Sequence, residues 1–210
     1  MTHGWPARMM RSALLLCGLW GCACAADDES PTRPYHDGPL TDDDFRGKPD
    51  ATSSYWAWTQ TEFRYRYNYR YQTSGGETVV SLTEIEIWGV VHRDKSWNRR
   101  KGNPLLLDHE QGHFDITQIY ALEAQASLQK RIDKGPKLQA RATTKEAAVK
   151  LLQERLEAAR QPFITDSLAA QRLYDKETVN GTDAAAQAEA RRAQKQRLEE
   201  LLRAEELASP

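Results

Sequence analysis

The hydrophobic period of this chain changes at Asn103-Pro104. Upstream, Phe63, Tyr65, Tyr67, Tyr69 and Tyr71 alternate with Arg64, Arg66, Asn68 and Arg70, which is strand periodicity. Downstream, apolar residues recur at helical spacing, as in Ala148, Leu151, Leu152, Leu156 and Ala159. Strands gathered in one half and helices in the other predict an α+β protein. An N-terminal antiparallel β-lobe would pack on a C-terminal helical lobe.

The local signals divide the chain further. Ser74-Gly75-Gly76 is a turn signal between two strands. The second strand has Ile85, Ile87, Gly89 and Val91 on one face and Glu84, Glu86, Trp88 and Val90 on the other. Pairing the two as a hairpin would oppose Arg and Glu side chains across it. Arg93 to Gly102 is a polar, basic connection. Asn103 is a good N-cap, and Pro104 suits the first helical position, so a helix is expected over Leu105 to Lys134. A second helix is expected from Thr144 to Arg160, and Pro162 is expected to open another through Tyr174. Asn180-Gly181 breaks the pattern, and Thr182 or Asp183 can cap a last, highly charged helix to about Leu207.

The N-terminal end has the pattern of an export signal over residues 1–25. Arg8 and Arg11 form a basic start, Ser12 to Trp20 a short apolar core, and Ala23-Cys24-Ala25 a cleavage site. Leu19-Trp20-Gly21-Cys22 loosely resembles a lipobox, which would end the signal at residue 21 and place a lipid anchor on Cys22. The apolar run is too short for a transmembrane segment. Residues 26–50 read as an extended arm, and residues 51–210 as one domain, with a β-rich lobe over 51–102 and a helical lobe over 103–210. Cys17, Cys22 and Cys24 all fall in the expected signal. A chain cleaved after Ala25 has no thiolate, so any metal must be held by nitrogen and oxygen. The formal net charge of -1 gives no support for nucleic acid as a partner. The Tyr/Arg strand is accordingly read as an amphipathic strand with a buried aromatic face and not as a base-stacking platform.

Chemistry is concentrated in His109-Glu110-Gln111-Gly112-His113, an HExxH string. Residues four apart share a helix face, so both imidazoles point the same way. Such a pair can hold zinc, with Glu110 as general base toward a water on the metal. Asp115 lies about 200° from His113 on an ideal helix and reads as an anchor to arginine or backbone groups of the β-lobe. Gly112 reads as a place where another segment approaches closely.

Several segments together resemble a bacterial family of unknown function described as secreted zinc-dependent proteases. Leu106-Leu107-Asp108-His109-Glu110-Gln111-Gly112-His113-Phe114-Asp115-Ile116 is similar to its central signature nearly letter for letter. Pro39-Leu40-Thr41 through Asp44-Phe45-Arg46-Gly47-Lys48-Pro49 resembles its N-terminal element, and Ser96-Trp97 precedes the key helix as it does there. Tyr174-Asp175-Lys176-Glu177-Thr178-Val179-Asn180-Gly181 resembles a later element, followed by Gln187. The resemblance spans about Pro39 to Leu202. It departs at Asp42 and Ala190, where the family has tryptophan, and at Asn180, where it has histidine.

The resemblance implies a third-ligand position at Asn180, yet a neutral amide oxygen is a poor zinc ligand. No histidine follows His113. The alternatives are His36, His92, Asp175, Glu177 and Asp183, and the three carboxylates read first as surface or capping charges. Tyr174 is a candidate to stabilise an oxyanion. The expected function is a zinc-dependent hydrolase acting on an unidentified peptide or protein. The alternative is an exported binding module that keeps the fold without a full metal site.

Overall fold

The computed structural model describes residues 30–134 and 138–208, and the architecture is α+β. The expected signal and the lipobox cysteine Cys22 lie outside the described residues. The β-part is built on a long hairpin, β3 (Thr61–Ser74) and β4 (Glu77–His92). Gly75 and Gly76 close it with φ of +59° and +77°, the positive values that a type I′ two-residue turn needs at both positions. Arg66 lies opposite Glu86 and forms an ion pair with it, and Asn68 donates to Glu84 across the same ladder.

β4 is the central strand. β1 (Thr32–Pro34) pairs with its C-terminal end and β6 (Gln139–Ala142) with its N-terminal end, both antiparallel, while β3 covers the other edge. An irregularity at Asn68/Tyr69 changes which residues of β4 face inward. Val80 and Leu82 are buried before it, and Ile85, Ile87, Gly89 and Val91 after it. Side chains alternate strictly along a strand, so one extra residue moves the apolar set from even to odd positions and keeps it on the core face. The segments flanking the hairpin in sequence form a separate two-stranded ribbon, β2 (Ala57–Trp58) with β5 (Trp97–Asn98).

Three helices complete the fold: α1 (Pro104–Asp133), α2 (Lys145–Glu177) and α3 (Ala184–Ala208). Asn103 Oδ1 accepts from the amides of Leu105 and Leu106 at 3.1 Å each. Thr144 Oγ1 caps α2 through Ala147, and Asp183 Oδ1 caps α3 through Ala185 and Ala186. Residues 112–119 of α1 are buried without a break. A helix so enclosed contacts partners on every side, here the sheet, α2 and α3. The main core joins Val80, Leu82, Ile85 and Ile87 of β4 to Ala121, Ala124 and Leu128 of α1 and to Ala148, Leu152 and Leu156 of α2. Each buried Leu or Ile contributes about 1.5–3 kcal/mol.

Three features differ from the sequence expectation, the first being that the strand β6 lies within residues 103–210, the expected helical lobe. The helix does not restart at Pro162, because α2 runs through it. Pro162 and Ala158 are both exposed, so the carbonyl that loses its amide partner faces water. Buried Leu152 and Leu156 before the proline and Ser167 and Tyr174 after it hold both halves on the core. The described part of the expected arm is also firmly docked. Buried Asp44 accepts from Arg33 Nη1 at 2.7 Å, Arg93 Nε at 2.8 Å and the Thr41 amide at 2.8 Å. A buried carboxylate needs such complete pairing, and here it ties residues 33–44 to the end of β4.

Candidate metal centre

α1 places His109 and His113 on one face, with ring centroids 4.9 Å apart. Asp175, in the last turn of α2, meets both. Its Oδ1 lies 3.2 Å from His109 Nε2 and 2.9 Å from His113 Nε2. The donor atoms of His109, His113 and Asp175 all fall within 4.8 Å of one another, and this group could hold a metal ion. Tetrahedral zinc bonds to nitrogen and oxygen set donors about 3.3 Å apart, so the two measured separations are near what such a site needs. The side chains of His109 and His113 are 4% and 11% exposed, and that of Asp175 is 27% exposed. Of the three, Asp175 is the most exposed to solvent.

The electrostatics are those of a coupled cluster. Burial opposes ionisation of Asp175, but the hydrogen bonds and charge of the two histidines outweigh it and hold the carboxyl below the usual range. Burial likewise opposes a charged His113, and the contacts with Asp175 and the charge of Glu110 more than offset it. Glu110 is pushed up, chiefly by burial, although His113 and Thr59 act against that. Its Oε2 accepts from Thr59 Oγ1 at 2.5 Å, so the link between β2 and β3 fixes the carboxylate beside the histidines.

Tyr174 and two glycines pack the site from behind. The Tyr174 ring stacks on His109 at 4.8 Å and meets His113 edge-on at 5.3 Å. A Cβ on Gly112 would collide with that ring and its hydroxyl, so the close approach read from the sequence is that of α2. The Tyr174 hydroxyl is buried without a hydrogen-bond partner among the described residues. It lies against Gly112 of α1. A Cβ on Gly181 would lie 2.7 Å from His109 Cγ, in a backbone with φ of +77°.

The other sequence candidates fall outside the cluster. Asn180 is exposed, and its amide donates to the Asp175 carbonyl at 2.7 Å. Glu177 is exposed and Asp183 caps α3. His92 pairs with Glu62 at 2.8 Å, and His36 sits exposed in a 3-10 turn beside Asp37. The resemblance pointed to Asn180, but the group that could hold a metal ion includes Asp175, and Asn180 is exposed. The physical reason is the end of α2, where Asp175 is still helical and faces α1, whereas Asn180 lies beyond the break in a turn that projects it outward. Asp115 does anchor α1, but to α3 and the N-terminal segment. It binds Arg191 Nη1 at 2.5 Å and accepts from Tyr35 at 2.8 Å. Thr59, Arg191 and Tyr35 carry no local motif, and only the tertiary fold brings them here.

Val179 and Asn180 have φ of +52° and +51°. A β-branched residue in that region costs about 1–3 kcal/mol. Val179 is 56% exposed, so its side chain returns little in burial. Val179→Gly is expected to raise stability by about 1 kcal/mol, after glycine's own entropic cost. Urea unfolding measures this, and an unchanged or lower midpoint would show that the turn carries no strain there.

No family model, curated protein or solved structure matches this chain. The functional reading therefore rests on the motif residues and on the geometry above.

Proposed function

We propose that this chain is an exported zinc-dependent hydrolase that cleaves peptide bonds. The observation that carries the reading is the convergence of His109 Nε2 and His113 Nε2 on Asp175 Oδ1, with buried Glu110 next in sequence to the first ligand. Two imidazoles and one carboxylate suit zinc, and they also suit iron. Glu110 favours hydrolysis between these. It is a positioned carboxylate whose basicity burial raises, which suits a group that must take a proton from water near neutral pH. Bound zinc would supply a Lewis acid that polarises a carbonyl and acidifies a water. Glu110 would accept the proton and deliver it to the leaving amine, while Thr59 holds the carboxylate in one orientation. The choice of peptides over other amides rests on the family resemblance.

The purified protein is expected to contain about one zinc per chain by mass spectrometry, the stoichiometry of a single three-ligand site. It should cleave a labelled unstructured protein, lose that activity to a chelator, and regain it with zinc. Zinc at full occupancy without cleavage would favour the binding-module alternative. Iron in its place would end the zinc reading. Export is the second part of the proposal, and it is motivated by the signal pattern of residues 1–25. N-terminal sequencing of protein from the cell-envelope fraction should begin at Ala26. A blocked, lipidated Cys22 would establish the lipoprotein route, and an intact Met1 in the cytoplasm would defeat export. Among the described residues, no helix is long and apolar enough to cross a membrane.

A further inference from the structure

We infer that Thr178 is a positioning residue for the metal centre, one that fixes the tautomer and orientation of His109. This inference rests on the metal-site reading above. Thr178 is fully buried, with Oγ1 lying 3.5 Å from His109 Nδ1. Its hydroxyl proton is already committed, because Oγ1 donates to the Tyr174 carbonyl at 2.7 Å. Toward His109 the oxygen can therefore only accept, and Nδ1 must be the donor. A proton held on Nδ1 leaves Nε2 with its lone pair directed to the Asp175 side, as a metal ligand requires. The Gly181 amide also donates to Thr178 Oγ1 at 3.3 Å, and this draws the turn against the back of the ring. His113 is approached by Gln171 but has no such acceptor fixed behind its ring. Among the described residues its Nδ1 makes no hydrogen bond, whereas Nδ1 of His109 faces the Thr178 oxygen. One short stretch thus supplies the stacked ring of Tyr174, the Asp175 carboxylate, the Thr178 acceptor and the Gly181 backing.

The test compares Thr178→Val, which keeps shape and removes the acceptor, with Thr178→Ser, which keeps it. Zinc affinity is read by competition with a chromophoric chelator. Valine is expected to weaken binding by about tenfold or more, the usual loss when an orienting partner of a ligand is removed, and serine should restore it. Nitrogen-15 NMR of the zinc-loaded wild type gives a second readout that does not depend on either variant folding. It should show a slowly exchanging proton on His109 Nδ1 and zinc on Nε2. Zinc on Nδ1, or valine binding zinc as tightly as wild type, overturns the inference while leaving the metal site intact. A wild type that takes up no zinc overturns the metal-site reading, and this inference with it.

Discussion

Asp175→Ala is expected to weaken zinc binding by more than about 100-fold. Loss of an orienting partner alone costs about 10–100-fold, and loss of a direct ligand should exceed that. Zinc sites use three or four protein ligands, and the alanine variant would leave two imidazoles with nothing opposite them. Asp175 is the group on which both Nε2 atoms converge, and among the described residues the group that could hold a metal contains only His109, His113 and Asp175. The matched control is Asn180→Gly. Asn180 is exposed and left-handed, a backbone that glycine adopts freely, so affinity should stay within about twofold. Chelator competition on both variants decides between the two positions. If Asn180→Gly loses zinc and Asp175→Ala keeps it, the ligand is the residue at the family's histidine position.

The start of α1 was legible because Asn103 and Pro104 act locally, through a side-chain cap and a fixed φ. The same holds for the hairpin turn, set by two glycines, whereas the aromatic face read from the alternation is only partly buried, with Tyr69 and Tyr71 exposed. The shared face of His109 and His113 follows from helical spacing alone. What the sequence could not give depended on distant partners. The switch of inward-facing residues in β4 comes from a bulge with no glycine to announce it. The continuity of α2 through Pro162 depends on which side of the helix meets water. Choosing Asp175 over Glu177 or Asp183 required knowing where α2 ends and which of its faces packs on α1. Thr59 had no signal, since a threonine near the start of a strand is ordinary until Glu110 is found opposite it.

Separating ligand from base is the sharper test of mechanism. Glu110→Gln is expected to retain zinc while losing hydrolysis by at least about 100-fold, the lower worth of a positioned general base. Glutamine has nearly the same shape as glutamate. Its side-chain carbonyl can still accept from Thr59 Oγ1, so the local packing around this buried residue should survive. What the amide cannot do is take a proton from water. Zinc affinity should change little, because Glu110 is not one of the three converging donors. The two readouts are independent, so they divide the possibilities cleanly. Loss of both zinc and cleavage would make Glu110 part of the ligand set or essential to its folding. Retained zinc with undiminished cleavage would remove Glu110 from the chemistry. The expected result, full zinc with cleavage nearly abolished, requires that the carboxylate beside His109 act on protons and not on the metal.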